Sequence, residues 1–342
     1  MTTPDPQEAP AEGLAEPLFF ERVSLTKVWG GRSLEEVPGI ALDVDGPVGE
    51  TWELSDRSER VSVVRGGRFA GKTLHELVRE HREDLCGTTE LNEDGRFPLL
   101  IKYLSASKPL SVQVHPDDRT AARLHAGDSG KDEAWYILHA EPDSLIYLGL
   151  RPEVDACAFA AMAGCEAVVD ALQPWPVRAG DVVDVPAGTL HAIGEGVTLV
   201  EVQQASDVTY RLYDWGRLGL DGEPREMHIE QALLAIDYET PIPGPFTPEL
   251  VDEPGASRAA DLVTRPSFTM ELLDLEGQLD ADTHGAALIY VIVSGEATLE
   301  GSDGARWQLT AGDTCLVPAR LGAHHLSVGE EPARLIVVTT KN

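Results

Sequence analysis

The sequence contains little cysteine and no long apolar run. Its four cysteines show none of the C-x-x-C spacing of zinc ribbons and redox motifs: they are Cys86, Cys157, Cys165 and Cys315. We therefore expect free thiols in a reducing cytoplasm. No stretch reaches the roughly 18 consecutive apolar residues that a membrane helix needs. The first residues lack the basic and apolar regions of a signal peptide, which also favours a cytoplasmic location.

Positive charge is scarce as well. The chain has 27 Lys and Arg residues against 58 Asp and Glu residues, a formal net charge of −31 at pH 7. This charge argues against nucleic acid or an anionic membrane as a partner, and it repels an anionic metabolite unless the binding site is locally basic. Three of the six lysines lie within about thirty residues, Lys102, Lys108 and Lys131. They form either a basic site or an ordinary solvated surface.

The pattern of short segments predicts a mainly β protein with two domains. Short strand-like runs alternate with Gly and Pro, which is typical of sandwiches and barrels. Residues 1–17 are acidic and rich in Pro, so we expect a disordered tail. Residues 241–257 are dense in Pro and Gly and lack periodicity, which predicts a linker. The linker would join a first domain of residues 18–240 to a second of residues 258–342.

Two further patterns support this organisation. Apolar residues recur with helical spacing in four places, which are residues 73–85, 117–126, 153–163 and 228–238. A GD-x4-P frame occurs twice, at Gly180–Pro186 and at Gly312–Pro318. An internal repeat of one β unit predicts two copies of the same barrel-like fold.

The first frame continues into a longer motif. Gly180, Pro186, Gly188 and His191 fit G-x5-P-x-G-x2-H, the second signature of the cupin jelly roll. The glycines permit a sharp turn between two strands, and the proline ends the first strand. His191 is then directed from the second strand into the mouth of the barrel.

The counterpart of the first cupin signature is Gln113-x-His115 followed by Glu133. In "LSVQVH" apolar and polar residues alternate, so Gln113 and His115 share one strand face and can reach one ion together. A mixed nitrogen and oxygen set is formed by Gln113, His115, Glu133 and His191. Such a set suits Zn²⁺, with other divalent transition ions also possible. Gln113 could alternatively hydrogen-bond to a ligand instead of binding the ion.

Several longer runs resemble the type I mannose-6-phosphate isomerases in their short bacterial form. The runs are KVWGGRSL, GETWELSD, FPLLIKYLSASKPLSVQVHPDD, GKDEAWYIL, VPAGTLHAIG and LVEVQQASDVTYRLYDWGR. They cover about residues 18–240, whereas the C-terminal block fits the second cupin of the family only loosely. The resemblance implies a tandem-cupin enzyme with one Zn²⁺ per chain that interconverts mannose 6-phosphate and fructose 6-phosphate.

The resemblance also implies site residues. The metal ligands would be Gln113, His115, Glu133 and His191, with an active-site arginine at Arg211. A continuous strand over residues 201–211 would place polar side chains on one face, namely Glu201, Gln203, Asp207, Thr209 and Arg211. Such a row facing a core is costly unless it forms a site.

Aldose–ketose isomerisation through a cis-enediol needs an acid or base that moves a proton between carbons 1 and 2. Glu201, Asp207 and Lys131 are the candidates, and the sequence does not choose among them. Arg211 would hold the developing oxyanion or the phosphate, because its guanidinium is permanently charged. We predict that Ser111, Lys131 and Arg211 bind the substrate, since the chain has no Gly-rich phosphate loop.

Two other functions use the same pocket, an Fe²⁺-dependent cupin oxygenase and a non-catalytic sugar-binding cupin. An oxygenase does not explain why Arg211, Glu201 and Lys131 would surround the metal. A non-catalytic cupin would be expected to have lost a metal ligand. The second cupin lacks an H-x-H pair, so we predict that it binds no metal and that His324 and His325 are structural or surface residues. We expect a small sugar phosphate as the partner and a monomer or weak homodimer.

Overall fold

A computed structural model describes residues 13–124, 128–255 and 257–340. Within these ranges strands dominate and the helices are short. The strands are β1 (Leu18–Phe19), β2 (Val23–Gly31), β3 (Val48–Leu54), β4 (Asp56–Arg57), β5 (Arg60–Val61), β6 (Leu99–Ala106), β7 (Val112–Val114), β8 (Glu133–Ala140), β9 (Leu145–Leu150), β10 (Leu172–Pro176), β11 (Val182–Val185), β12 (His191–Ile193), β13 (Val197–Gln204), β14 (Tyr210–Tyr213), β15 (Val251–Glu253), β16 (Ser257–Thr264), β17 (Phe268–Leu275), β18 (Gln278–Asp282), β19 (Leu288–Ser294), β20 (Glu296–Gly301), β21 (Arg306–Thr310), β22 (Thr314–Val317), β23 (Ala323–Ser327) and β24 (Ala333–Thr340). The α-helices are α1 (Leu74–Glu80), α2 (Arg82–Leu85), α3 (Asp118–Leu124), α4 (Ala156–Met162) and α5 (Ile229–Ala235), and 3₁₀ turns span Ser33–Glu36, Glu166–Ala171 and Ala319–Leu321.

Four larger sheets build two barrels. In the first barrel a six-stranded sheet, β11-β8-β13-β6-β3-β2, faces a five-stranded sheet, β10-β9-β12-β7-β14. In the second, a seven-stranded sheet, β1-β22-β19-β24-β17-β16-β15, faces a four-stranded sheet, β18-β23-β20-β21. The paired strands within each sheet are antiparallel, and apolar side chains fill the space between the two layers.

The two barrels repeat one strand order. Strands of the first barrel correspond one by one to strands of the second, both along the chain and across each sheet. In the larger sheets the order β11-β8-β13-β6-β3-β2 corresponds to β22-β19-β24-β17-β16-β15. In the smaller sheets the order β10-β9-β12-β7 corresponds to β21-β20-β23-β18. This confirms the prediction of a mainly β protein with tandem jelly-roll domains. The repeated GD-x4-P frame lies at β11 in the first barrel and at β22 in the second.

The six-stranded and seven-stranded sheets also pack against each other through their outer faces. One apolar cluster combines Ile101, Tyr136 and Val202 of the first barrel with Leu272 and Ile336 of the second. Strand β6 is therefore buried on both faces along its whole length. This explains why its first six residues, LLIKYL, are almost continuously apolar instead of strictly alternating.

The four predicted helical segments are confirmed, with shorter bounds. The segment 73–85 is divided at His81 into α1 and α2, and a capping box between Thr73 and Glu76 starts α1. Helix α3 ends at Leu124 within the described residues, and residues 125–126 of the predicted segment 117–126 lie outside them.

The start of the chain differs from the prediction of a tail over residues 1–17. Residues 1–12 lie outside the described residues, but residues 13–17 are packed against the body. The side chain of Leu14 is fully buried, and its backbone N–H donates to Asp84 Oδ2 at 3.0 Å. For residues 13–17 the prediction of disorder is therefore wrong, because a buried leucine anchors them.

The predicted linker also contributes to the fold. Phe246 pairs with Val182 of the first barrel, and β15 pairs with β16 at the edge of the second. In addition, β1 pairs with β22, so a strand that precedes the first barrel in the sequence belongs to the sheet of the second barrel. The division of the remaining chain at residues 240 and 258 stays a proposal.

Two sequence expectations concern single features of the chain. All four cysteines are free thiols, as predicted, with Cys86 and Cys315 buried and Cys157 and Cys165 exposed. Among the described residues, no helix combines the length and the apolar character that crossing a membrane requires.

Candidate active site

Three predicted ligands converge inside the first barrel. His115 follows β7 and His191 begins β12 in one sheet, whereas Glu133 begins β8 in the sheet that faces them. Their candidate ligand atoms all lie within 4.8 Å of one another. His191 Nε2 is 3.4 Å from Glu133 Oε1, and His115 Nε2 is 3.5 Å from Glu133 Oε2. Segments distant in the sequence thus form one buried cluster, as the cupin motifs predict.

Backbone carbonyls orient both imidazoles. His115 Nδ1 donates to the Val208 carbonyl at 2.7 Å, and His191 Nδ1 donates to the Thr189 carbonyl at 2.9 Å. Each Nε2 atom then keeps its lone pair and faces the glutamate, which is how metal-binding histidines are held. Burial lowers the pKa of both rings, and for His115 the nearby Lys131 lowers the pKa further. The rings are therefore neutral, the form that binds a metal.

Glu133 supplies a buried, negatively charged carboxylate. Burial raises the pKa of its carboxyl, but Lys131 and His191 reverse that effect and hold the pKa below its usual value. Lys131 Nζ lies 2.7 Å from Glu133 Oε2, so the carboxylate is paired with an ammonium. Two imidazole nitrogens and a carboxylate in one buried cluster are the donor types that bind a divalent cation.

Gln113 lies beside the cluster. It stands opposite His191 on one neighbouring strand and opposite Arg211 on the other. Its Nε2 atom is 3.2 Å from His191 Nε2, while its Oε1 atom accepts a hydrogen bond from Ser111 Oγ at 3.0 Å. Arg211 Nε in turn donates to Ser111 Oγ at 3.2 Å. The structure therefore brings Gln113, Ser111 and Arg211 to the cluster, and binding of an ion by Gln113 stays a prediction.

A buried row of charges adjoins the cluster. Lys131 Nζ is 3.4 Å from His115 Nε2 and 3.5 Å from Glu201 Oε1, and Lys102 Nζ is 3.2 Å from the same glutamate oxygen. Lys102, Lys131 and Glu201 are each at most 4% exposed. Of the three clustered lysines, two therefore belong to the site, and Lys108 lies on the surface.

Residues 201–211 do not form one continuous strand, so the condition for placing their polar side chains on one face is not met. Strand β13 ends at Gln204 and β14 begins at Tyr210 in the opposite sheet. Ser206, in the connection, donates through Oγ to the Ser129 carbonyl at 2.8 Å, which turns the chain away from β13. Glu201 and Arg211 consequently reach the site from opposite walls of the barrel, and Asp207 lies exposed between the strands.

Known proteins match this chain over most of its length. The family model described as phosphomannose isomerase type I, catalytic domain, matches residues 21–145, and the model for the mannose-6-phosphate isomerase cupin domain matches residues 259–339. The mannose-6-phosphate isomerase of Streptococcus mutans is 34% identical over 308 residues, covering 89% of this chain and 93% of the relative. The chain belongs to the type I phosphomannose isomerases.

Further relatives agree with this family. Mannose-6-phosphate isomerase ManA of Bacillus subtilis is 33% identical over 91% of this chain and 96% of its own length. A crystal structure of the mannose 6-phosphate isomerase from Bacillus subtilis superposes with a TM-score of 0.85 at 31% identity, covering 94% of this chain and 99% of that one. The apo enzyme from Salmonella typhimurium, at 20% identity and a TM-score of 0.75 over 96% of this chain and 100% of its own, shares the fold.

The second barrel carries few residues equivalent to the predicted ligands. Glu133 stands opposite Val185 on β11, and the equivalent residue opposite Val317 on β22 is Leu288. Gln113 stands opposite His191, and the equivalent partner of His324 is Ala281. The residue two positions after Ala281 is Thr283, where the first barrel has His115. Only His324 remains of the four predicted ligands.

The remaining histidine of the second barrel has a different partner. His324 Nδ1 donates to the Gly322 carbonyl at 2.8 Å, as His191 does to its own carbonyl, but its Nε2 atom is 2.8 Å from the Tyr290 hydroxyl. The 3₁₀ turn after Pro318 places this histidine one residue later than His191 in its motif. His324 is thus a buried structural residue, and the partly exposed His325 lies 2.9 Å from Asp280.

Three residues near the site, Glu50, Trp52 and Lys27, were not proposed as site residues from the sequence, and the role of Lys102 was left open. Glu50 and Trp52 lie on β3, and Trp52 Nε1 donates to Glu50 Oε1 at 3.2 Å. Lys27 Nζ is 2.8 Å from the same oxygen, and Lys102 Nζ lies 5.5 Å from the centre of the Trp52 ring. One signal was available, because Lys102 is a single lysine inside the apolar run LLIKYL and Glu50 interrupts a buried strand.

Proposed function

We propose that this chain is a zinc-dependent isomerase that interconverts mannose 6-phosphate and fructose 6-phosphate. The observation that carries the proposal is the buried cluster of His115, Glu133 and His191, whose ring nitrogens and carboxylate oxygens face one another. Family membership supports the same reaction, because relatives that match nearly the whole chain carry the name mannose-6-phosphate isomerase.

The donor set supports a divalent cation, and zinc best. Two neutral imidazoles and a carboxylate, with the Gln113 amide beside them, are the ligand types that Zn²⁺ accepts while leaving a position for substrate. When bound, the ion would act as a Lewis acid toward the oxygens on carbons 1 and 2 of the sugar.

The charge distribution explains how an acidic protein can bind a sugar phosphate. Around the cluster three lysines face three glutamates, which are Lys27, Lys102, Lys131, Glu50, Glu133 and Glu201. These charges balance, so a divalent cation and Arg211 make the site locally positive despite the net charge of −31. A dianionic phosphate is attracted to such a site.

Glu201 is the best placed proton carrier among the three candidates. Isomerisation through a cis-enediol removes the proton from one carbon and returns it to the next. Glu201 is a buried carboxylate able to accept that proton, whereas the ammonium of Lys131 has no lone pair and lies 2.7 Å from Glu133. Asp207 is exposed at the rim. We assign the proton transfer to Glu201 and substrate contact to Lys131.

Arg211 and Ser111 form the opposite wall of the site. Arg211 Nη1 donates to the Glu226 carbonyl at 2.8 Å, and Nε donates to Ser111. Burial and the neighbouring Arg225 lower the pKa of Arg211 to about 10, so it remains a cation at neutral pH. We assign these two residues to the phosphate or to the developing oxyanion, since a fixed guanidinium binds either.

A coupled assay on mannose 6-phosphate tests the proposal. Metal-replete protein should be active, chelation should abolish turnover, and stoichiometric Zn²⁺ should restore it. Lack of activity in metal-replete protein would contradict the isomerase. Recovery with Fe²⁺ but not with Zn²⁺ would contradict the choice of metal. A cytoplasmic location and a monomer or weak homodimer stay predictions, to be checked by fractionation and light scattering.

A further inference from the structure

Lys102 is a buried lysine to which the proposed reaction gives no role. It lies on β6, directly between Glu201 on β13 and Trp52 on β3. Its side chain is almost completely buried, and its ammonium is 3.2 Å from Glu201 Oε1. A buried lysine is costly unless its charge is paired, so this position is determined by its partners.

The surroundings hold the ammonium in one place. Its other side lies over the Trp52 ring, 5.5 Å from the ring centre, a cation–π contact in a buried setting. Burial lowers the pKa of Lys102, but the carboxylates of Glu201 and Glu50 raise it above its usual value. Glu50 is itself held by Trp52 and Lys27. Lys102 is therefore a fixed positive charge.

Glu201 has one alternative partner. Its Oε1 atom is 3.2 Å from Lys102 and 3.5 Å from Lys131, which in turn contacts Glu133. Without Lys102 the carboxylate would turn toward Lys131 alone, because an unpaired buried charge moves to the nearest opposite charge. Its orientation toward the sugar would then change.

We propose that Lys102, whose ammonium lies over the Trp52 ring, is a positioning residue. It holds the Glu201 carboxylate in the orientation needed for proton transfer. The inference rests on the proposed function, in which Glu201 carries the proton. It predicts that Lys102 acts through Glu201 and not on the substrate directly.

A double-mutant cycle tests the inference. Lys102→Met should lower kcat on mannose 6-phosphate about 100-fold and change KM less than about threefold, since only an interaction needed in the transition state is lost. In a Glu201→Gln background the same substitution should change kcat less than about threefold, because coupled residues are not additive. A full 100-fold loss in that background would overturn the inference.

Lys108→Met is the matched control. It removes a lysine that lies on the surface, outside the buried charges around Glu201, and should leave kcat within about threefold of the wild type. A loss as large as that of Lys102→Met would show that charge balance alone matters, which would overturn positioning. If Lys102→Met does not fold, Lys102→Arg replaces it. A folded Lys102→Arg protein with wild-type kcat would also contradict the inference, because its charge sits elsewhere.

Crystal structures give a readout that does not depend on turnover. In Lys102→Met the distance from Glu201 Oε1 to Lys131 Nζ should shorten from 3.5 Å to about 2.8 Å, and an unmoved carboxylate would overturn the inference. A wild-type chain inactive on mannose 6-phosphate would contradict the proposed function. In that case these structures still decide whether Lys102 positions Glu201.

Discussion

At the scale of single residues, the site depends on where each polar atom finds its partner. His115 and His191 each give their Nδ1 proton to a backbone carbonyl, so only Nε2 remains for an ion. In the second barrel His324 keeps the same carbonyl contact but has Tyr290 at Nε2. A histidine with the same backbone contact therefore serves catalysis in one barrel, as we propose, and packing in the other.

His191→Ala should abolish metal binding and reduce turnover more than about 1000-fold, because one of the buried donors is lost. The circular dichroism spectrum should stay native. Metal content measured on dialysed protein checks the result. His324→Ala is the control in the second barrel and should leave the metal content unchanged, so equal metal loss in both variants would contradict the assignment.

Glu50 should contribute stability that depends on pH. Burial raises the pKa of its carboxyl, but Lys27 and Lys102 reverse that effect and lower the pKa to about 2, below the ordinary value of 4.5. As the pH falls, the folded state thus binds this proton at a lower pH than the unfolded state does. Its contribution, about 3 kcal/mol, is present above pH 4.5 and is lost as the pH falls toward 2.

Urea unfolding of Glu50→Gln and wild-type protein at several pH values measures this contribution. The difference in the free energy of unfolding should be large at pH 6 and should shrink toward pH 3. A difference that stays constant over that range would show that Glu50 is not the titrating group.

At the scale of strands, the break between β13 and β14 decides the layout of the site. A continuous strand would have put Glu201, Asp207 and Arg211 in a row. Instead Glu201 lies on one sheet and Arg211 on the other, so a bound sugar would be contacted from two sides. Asp207 is left in the exposed connection.

This layout predicts different effects for two carboxylates. Glu201→Gln should lower kcat about 1000-fold or more, since the amide cannot accept the proton, whereas Asp207→Asn should lower it less than about tenfold. Steady-state kinetics on mannose 6-phosphate compare them. The opposite order of effects would move the proton transfer to Asp207.

At the scale of the whole molecule, the two barrels share one apolar interface. The outer face of β6, β8 and β13 packs against that of β17, β19 and β24. Ion pairs cross the same boundary, as between Arg265 and Asp184. Neither outer face is suited to water, so the second barrel supports the first although it keeps only one residue of the ligand set.

The shared interface predicts a single unfolding event. Calorimetry should give one transition with equal calorimetric and van't Hoff enthalpies. Leu272→Asp, at a buried interface position of the second barrel, should lower the midpoint of that transition and keep it single. Two separated transitions in the wild-type protein would contradict mutual support.

Local sequence patterns were sufficient for much of the architecture. The helical segments, the repeated GD-x4-P frame and the cupin motif around His191 depend on neighbouring residues, so spacing alone revealed them. The same is true of Gln113 and His115, which share a strand face. The burial of Leu14 could not be read from the acidic segment around it, because its partners lie in distant elements.

The contacts between distant segments were decided by the tertiary structure. Sequence spacing does not show that Lys102 sits between Glu201 and Trp52, that β13 ends before Asp207, or that Tyr290 takes the free nitrogen of His324. These contacts arise from strand register and from the packing of facing sheets, which join residues far apart in the chain. The sequence by itself determined which ligand types were available, and the fold decided which of them meet.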